Sequence, residues 1–201
     1  MFLPDPLYLA VAATAIASPG PGVVFSLSNA VRYGLAPALG GILGLACGSL
    51  IIAGVSATGV GVLLVATPSA YGALKFAGAS YLIYLAWRLW HATPVAMPAA
   101  SAAVAASMAE RFREGFTMQL SNPKALVFFI ALFPRFLEGA DSIALRFVQL
   151  MLGYAVLLLI IHGAFALAAR QVQRQMVAHS RVVNRVSATA FVGFALVIAF
   201  G

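Results

Sequence analysis

The chain has 201 residues, 63% of them hydrophobic and only 8% charged, with a mean hydropathy of +1.00. A soluble core of this size does not need that much apolar surface, so the composition excludes an ordinary globular domain and points to membrane spans. The formal net charge of +7 comes without a clustered basic patch, which excludes a nucleic-acid groove and leaves loops biased toward the cytoplasm.

Apolar runs between polar punctuation predict six spans, at about 7–30, 38–65, 69–90, 114–134, 146–169 and 183–200. The N-terminus, Met1-Phe2-Leu3-Pro4-Asp5-Pro6, lacks a basic n-region, so the first span is expected to be retained. That span is interrupted by Ser18-Pro19-Gly20-Pro21-Gly22. Proline donates no intrahelical hydrogen bond and clashes with the preceding turn, so the break frees backbone carbonyls at membrane depth. Such groups are tolerated only where they are buried in protein or line a wet cavity. Ser18 lies about eleven residues in, near the midplane at ~1.5 Å per residue. The glycines flanking Pro21 permit close approach of a ligand or a helix.

Span 2 carries Gly40, Gly44 and Gly48 on one helical face, read as a packing or dimerisation surface. The only cysteine, Cys47, lies in this span, which excludes an internal disulfide, a thiol pair and a cysteine-rich metal site. A very short connection at Thr67-Pro68 leads into span 3; merging the two spans would give five and move the C-terminus across the membrane. An Ala-rich linker, 91–113, then separates two halves, 1–90 and 114–201, of a single membrane domain.

Span 4 is broken in its turn, at Ser121-Asn122-Pro123-Lys124. Lys124 is about ten residues from either end, too deep for easy snorkelling, where a cation costs roughly 2.5–3.5 kcal/mol and turns to the bundle interior. Gln119 and Asn122 add neutral donors and acceptors beside it. Two readings of Lys124 stay open. It can pair with an anionic substrate group, such as a carboxylate, at the half-helix that Pro123 starts, or it can bind carbonyls freed by the first break. In span 5, His162 is the one deep side chain that titrates near neutrality, a candidate for proton coupling or a cap on a neighbouring carbonyl.

The loops after spans 1, 3 and 5 gather Arg32, Arg88, Arg111, Arg113, Arg170, Arg174, Arg181 and Arg185. The opposite side holds Lys75, Arg135 and Arg146 beside Asp5, Glu138 and Asp141, so both termini are expected outside. Three spans per half make the second half enter from the other side, as an inverted repeat with helices 1 and 4 broken at proline. Lys75, Tyr81 and Tyr84 reappear 110 positions on as Arg185, Phe191 and Phe194, whereas the breaks shift by 103 or 104. No Ser/His/Asp arrangement, paired deep carboxylates or metal-ligand spacing is visible, so no enzyme, cofactor or metal is expected.

Ser18-Pro19-Gly20-Pro21, the following Ser-rich helix, Tyr33-Gly34 and the Gly-rich span 2 resemble the start of the lysine exporter family (LysE/RhtB type). Asn122-Pro123-Lys124-Ala125, followed by Phe128-Phe129 and Phe133-Pro134-Arg135-Phe136, is similar to the family's fourth-span signature. Lys75-Phe76-Ala77-Gly78-Ala79-Ser80-Tyr81-Leu82 and Asn184-Arg185-Val186-Ser187 resemble its third span and the opening of its last. Two departures stand out: Gly22 where many members have Asn, and Ser49 near where many carry an acid.

The resemblance implies efflux of amino acids or related metabolites across a bacterial inner membrane, driven by a proton or other ion gradient. Without the span 2 acid, neutral or weakly polar amino acids are the expected substrates. The expected site is Ser18, Pro19, Gly20, Pro21, Gly22, Gln119, Asn122, Pro123 and Lys124, with His162 as coupling candidate and the lipid bilayer and a small solute as partners. Homo-oligomerisation stays open. Alternatives are a cation or metal efflux protein, opposed by the lack of deep carboxylates, and an intramembrane redox carrier, opposed by the single cysteine.

Overall fold

A computed structural model describes residues 4–66, 68–93 and 106–200, and their regular elements are all helical. In chain order these are α1 Pro6–Ala17, α2 Pro21–Tyr33, α3 Leu35–Ala66, α4 Pro68–Trp90, α5 Met108–Leu120, α6 Pro123–Leu137, α7 Ile143–Leu167, α8 Ala169–Ala178 and α9 Ser180–Phe200.

Local chemistry sets the ends. Pro6, Pro21 and Pro123 each open a helix, where the missing N–H has no intrahelical partner to lose. The Asp5 carboxylate accepts from the Leu7 N–H at 2.7 Å, and the Asn122 side chain accepts from the Lys124 N–H at 3.1 Å. Gly34, at φ 84°, takes the left-handed conformation that lets α2 turn into α3 through one residue. The two proline motifs do break their spans. α1 and α2 meet at 58°, and α5 and α6 at 55°.

Among the described residues, three helical segments, Leu35–Ala57, Ile143–Leu167 and Ser180–Phe200, are long and apolar enough to cross a membrane. The number rises to five if each bent pair is one span, against the six expected. Helix α4, with 23 residues, has spanning length at ~1.5 Å per residue and carries Lys75 and Arg88. Val55, Ile160 and Phe200 turn outward, as lipid-facing side chains do.

Contacts fix the helix directions. Gly40, Gly44 and Gly48 of α3 meet Met108, Phe112 and Gln119 of α5 in rising order, so α3 and α5 run parallel. Gly78 of α4 meets Ala131 of α6, whereas Leu85 and Leu89 lie by Pro123, so α4 runs antiparallel to α6. Arg185 stacks over Trp90 at 5.3 Å and Ile83 shares a groove with Val192, which makes α9 antiparallel to α4. The Tyr33, Trp90, Met108 and Ser180 ends of their helices therefore lie at one end of the bundle.

The glycine stripe of α3 has its partner within the chain. A Cβ on Gly40 or Gly44 would strike the carbonyl oxygen of Met108 or Phe112, and one on Gly115 that of Gly41. Backbones this close gain dispersion contacts that larger side chains would prevent. The face read as packing or dimerisation is thus filled by α5. Beside it, Phe128, Phe129, Phe133 and Tyr154 form a buried aromatic core, with Phe129 and Tyr154 ring centres 4.7 Å apart.

Two boundaries need correction. The linker expected over 91–113 ends sooner, because α5 begins at Met108. The Ser107 hydroxyl accepts from the Glu110 N–H at 3.1 Å, the first half of a capping box, and Arg111 pairs with Glu110 at 3.0 Å and Glu114 at 2.7 Å. The linker's middle, 94–105, and Thr67 lie outside the described residues. The loop expected before span 6 contains α8, held by Val172 and Met176 against Val23 and Leu27 of α2.

Candidate functional site

The two breaks meet. Lys124, the second residue of α6, extends its ammonium to the first break and donates to the Ser18 hydroxyl and, at 3.4 Å, to the Ser18 carbonyl. Ser18 is 1% exposed, and its hydroxyl donates in turn to the Ala15 carbonyl at 2.9 Å. Proline chemistry makes this contact available. Ser18 ends α1 in an extended conformation, at φ −65° and ψ 140°, and the prolines after it stop the helix from continuing, so its carbonyl stays outside the helical ladder and turns toward the lysine. The Gly20 carbonyl is less free, since it accepts the Val24 N–H at 3.0 Å as the first bond of α2. Among the described residues no carboxylate pairs with Lys124. The ammonium therefore sits in the protein interior with neutral acceptors alone.

Gln119 and Asn122 are engaged structurally. The Asn122 amide donates to the Gln119 side-chain oxygen at 3.2 Å, and the Gln119 amide donates to the Ser49 hydroxyl at 2.8 Å. Ser49 closes the chain on the Leu45 carbonyl at 2.9 Å. This relay ties the second break to α3 and spends donors that were expected to face a ligand. It also gives Ser49 a role: at that position the hydroxyl receives an amide.

His162 is buried, and its Nδ1 lies 2.8 Å from the Ser26 hydroxyl. The ring also bonds the backbone of Ile16, at the end of α1. Both of its polar directions are thus occupied, the arrangement of a satisfied interior histidine. It nevertheless belongs to the same site. A Cβ on Gly22 would lie 3.4 Å from its ring, and His162 and Lys124 line one small cavity.

That cavity has about 40 Å³ of water-sized space, room for a few waters at ~10–15 Å³ each. Ser18, Gly20, Pro21, Gly22, Gln119, Asn122, Lys124 and His162 all reach it, so the structure gathers eight of the ten expected site residues at one point. Phe128, Tyr154 and Leu158 complete its wall. Pro19 and Pro123 face a second, larger space of about 350 Å³ on the other side of Lys124. This vestibule runs to Arg88 and Ala92 at the end of α4 and includes Tyr81 and Phe191.

Sequence reasoning missed Ser26, Tyr154 and Arg88 as members of the site. Ser26 follows Gly22 by one turn, a spacing that would have placed it on the same face as the break. Nothing local marked Tyr154. Tyr81 and Phe191, which occupy matched positions 110 residues apart, share the vestibule.

The chain matches the family described as LysE type translocator over residues 13–201. A leucine efflux protein of Salmonella typhimurium is 27% identical over 195 residues, covering 94% of this chain and 91% of that protein. An uncharacterized membrane protein of Pseudomonas aeruginosa is 32% identical, covering 91% of this chain and 86% of its own length. Another from Vibrio cholerae is 34% identical over 134 residues, a match spanning 65% of this chain and 63% of that protein. No solved structure matches.

Proposed function

The chain belongs to the LysE type translocator family, and we propose that it exports amino acids with neutral side chains from the cytoplasm of a bacterium, driven by an ion gradient. At family level it is a multi-pass membrane transporter of amino acids and not an enzyme. One observation carries the finer reading: an interior ammonium, Lys124, that has neutral partners only and lies between two spaces. An unpaired interior cation is costly, and a substrate carboxylate is the partner that offsets it. Carbonyls of the first break are the matching acceptors for a substrate amine. The relatives named leucine efflux proteins favour a neutral side chain.

The architecture that fits is six spans in a 3+3 inverted repeat, with each bent pair as one span and α4 as the third. Helix directions support it, since α3 parallels α5 while α4 opposes α6, the continuation of α5. Nearly equal bends at the two breaks support it as well. The arginine-rich end, with the Arg88 mouth of the vestibule, is then cytoplasmic. In this arrangement the vestibule lies on the cytoplasmic side of Lys124, and alternating access would carry the solute past it.

The function test is accumulation of amino acids outside cells that overproduce the protein, against an empty vector. Selective appearance of leucine-like amino acids is the expected result, and no change in any amino acid would overturn the reading. For the architecture, reporter fusions at Ala105 and at the C-terminus should report opposite sides of the membrane.

A further inference from the structure

The vestibule beside Lys124 has a distinctive chemistry. Its walls are apolar, formed by Leu85, Leu89, Tyr81 and Phe191 with the break prolines. Its charged groups are two cations, Arg88 at the mouth and Lys124 at the floor, and no described lining residue is acidic. About 350 Å³ is within the range of small-molecule sites, whereas the cavity behind Lys124 has room for only a few waters. A solute entering from this side therefore meets Arg88 first and an apolar wall next.

We propose that Arg88 is the entry and specificity residue: it captures the solute carboxylate at the vestibule mouth, passes it toward Lys124, and repels solutes with a cationic side chain. This rests on the amino-acid export reading and narrows it to amino acids with uncharged, apolar side chains, which the Leu85, Leu89 and Phe191 wall receives. Arg88 suits the task on several grounds. It is exposed and no described carboxylate pairs with it. Its guanidinium lies 5.9 Å from the Tyr84 ring centre, a contact that steadies the side chain and leaves its edge free for a carboxylate. Its height on α4 puts it one turn beyond Leu85 and two beyond Tyr81, on the vestibule side.

The test is uptake into inside-out membrane vesicles, where the vestibule faces the medium, with leucine as substrate and lysine and leucinamide as competitors. For Arg88→Gln the KM for leucine should rise about fivefold with Vmax little changed, since a solvent-exposed charge pair contributes modestly. Arg88→Lys should restore most of the affinity. Arg88→Glu should let lysine compete where it does not in the parent protein, and leucinamide, which lacks the carboxylate, should compete in none. An unchanged KM in Arg88→Gln, or an Arg88→Lys that fails like Gln, would overturn the capture role and leave Arg88 a partner of Tyr84. Failure of the parent protein to take up any amino acid is a separate outcome, which removes the export reading and this proposal with it.

Discussion

The two helix breaks share a geometry and differ in chemistry. Each bends its span by nearly the same angle, 58° in the first half and 55° in the second. The first break presents acceptors: the Ser18 carbonyl and hydroxyl, from a stretch whose prolines lack N–H groups. The second presents donors: the Lys124 ammonium, on a helix start whose Asn122 and Gln119 are tied back to α3. Related backbones with opposite side-chain character make a site with one positive and one negative pole. That is the shape of charge in a zwitterionic amino acid. The two poles bond each other through Lys124 and Ser18. On the proposed export reading, a substrate displaces the bond between Lys124 and Ser18 with its own two ends.

The largest expected effect breaks the donor pole. Lys124→Met keeps length and apolarity and removes the charge, so the protein should insert as well as before. Export should fall by about a hundredfold or more, because burying an unpaired substrate carboxylate costs several kcal/mol. Export per unit of membrane protein measures it. Near-normal export would make Lys124 a structural clamp on the first break and nothing else.

Next comes the acceptor pole. Pro21→Ala restores an N–H that can return to the Ala17 carbonyl, which favours a continuous helix and draws Ser18 into the helical ladder. Export should drop about tenfold with the protein still folded. If Pro21→Ala is silent while Lys124→Met is dead, the substrate needs only the cation, and the two-pole comparison fails.

A third substitution asks whether the poles need a rigid seat. Gly44 packs against the α5 backbone at Phe112, and the relay from Gln119 to Ser49 crosses the same seam. Gly44→Val should push the helices apart at a cost of about 1–3 kcal/mol. A lower thermal midpoint in detergent, with weaker export, is the expected outcome. An unchanged midpoint would mean that the seam is loose and that the second break is held otherwise.

These features were unequally legible in the residues. Proline acts on its own turn, so both breaks could be read locally, whereas the contact between Lys124 and Ser18 joins residues 106 positions apart and was one of two open readings. The glycine stripe on α3 announced a close neighbour without naming it, because small residues admit any backbone; only the fold shows that α5 fills it. Helix α8 went unread because its stability comes from Val172 and Met176 on distant Val23 and Leu27. The early start of α5 did carry a signal, Ser107 three residues before Glu110, which the alanine-rich context obscured. The vestibule had only a shadow in the sequence, the Tyr81 and Phe191 pair at matched positions, since it arises where α4, α6 and α9 converge.

The smallest expected effect concerns how the two poles are coupled to an ion. His162 shares the small cavity with Lys124, and Tyr154 is the third titratable group on its wall. The imidazole is held between Ser26 and the Ile16 backbone, so it can gain a proton only if one of these contacts is given up. Such a change would move α2 against α7 and thereby the Gly22 side of the break, which is a direct mechanical route from proton to site. Gln has similar reach and can still bond Ser26, so His162→Gln should fold and export at near the parent rate. Its expected signature is a flattened dependence of export on pH. A profile identical to the parent's would remove His162 from coupling, keep it as a bridge between α2 and α7, and leave Lys124 as the remaining cationic group at the cavity to carry any proton.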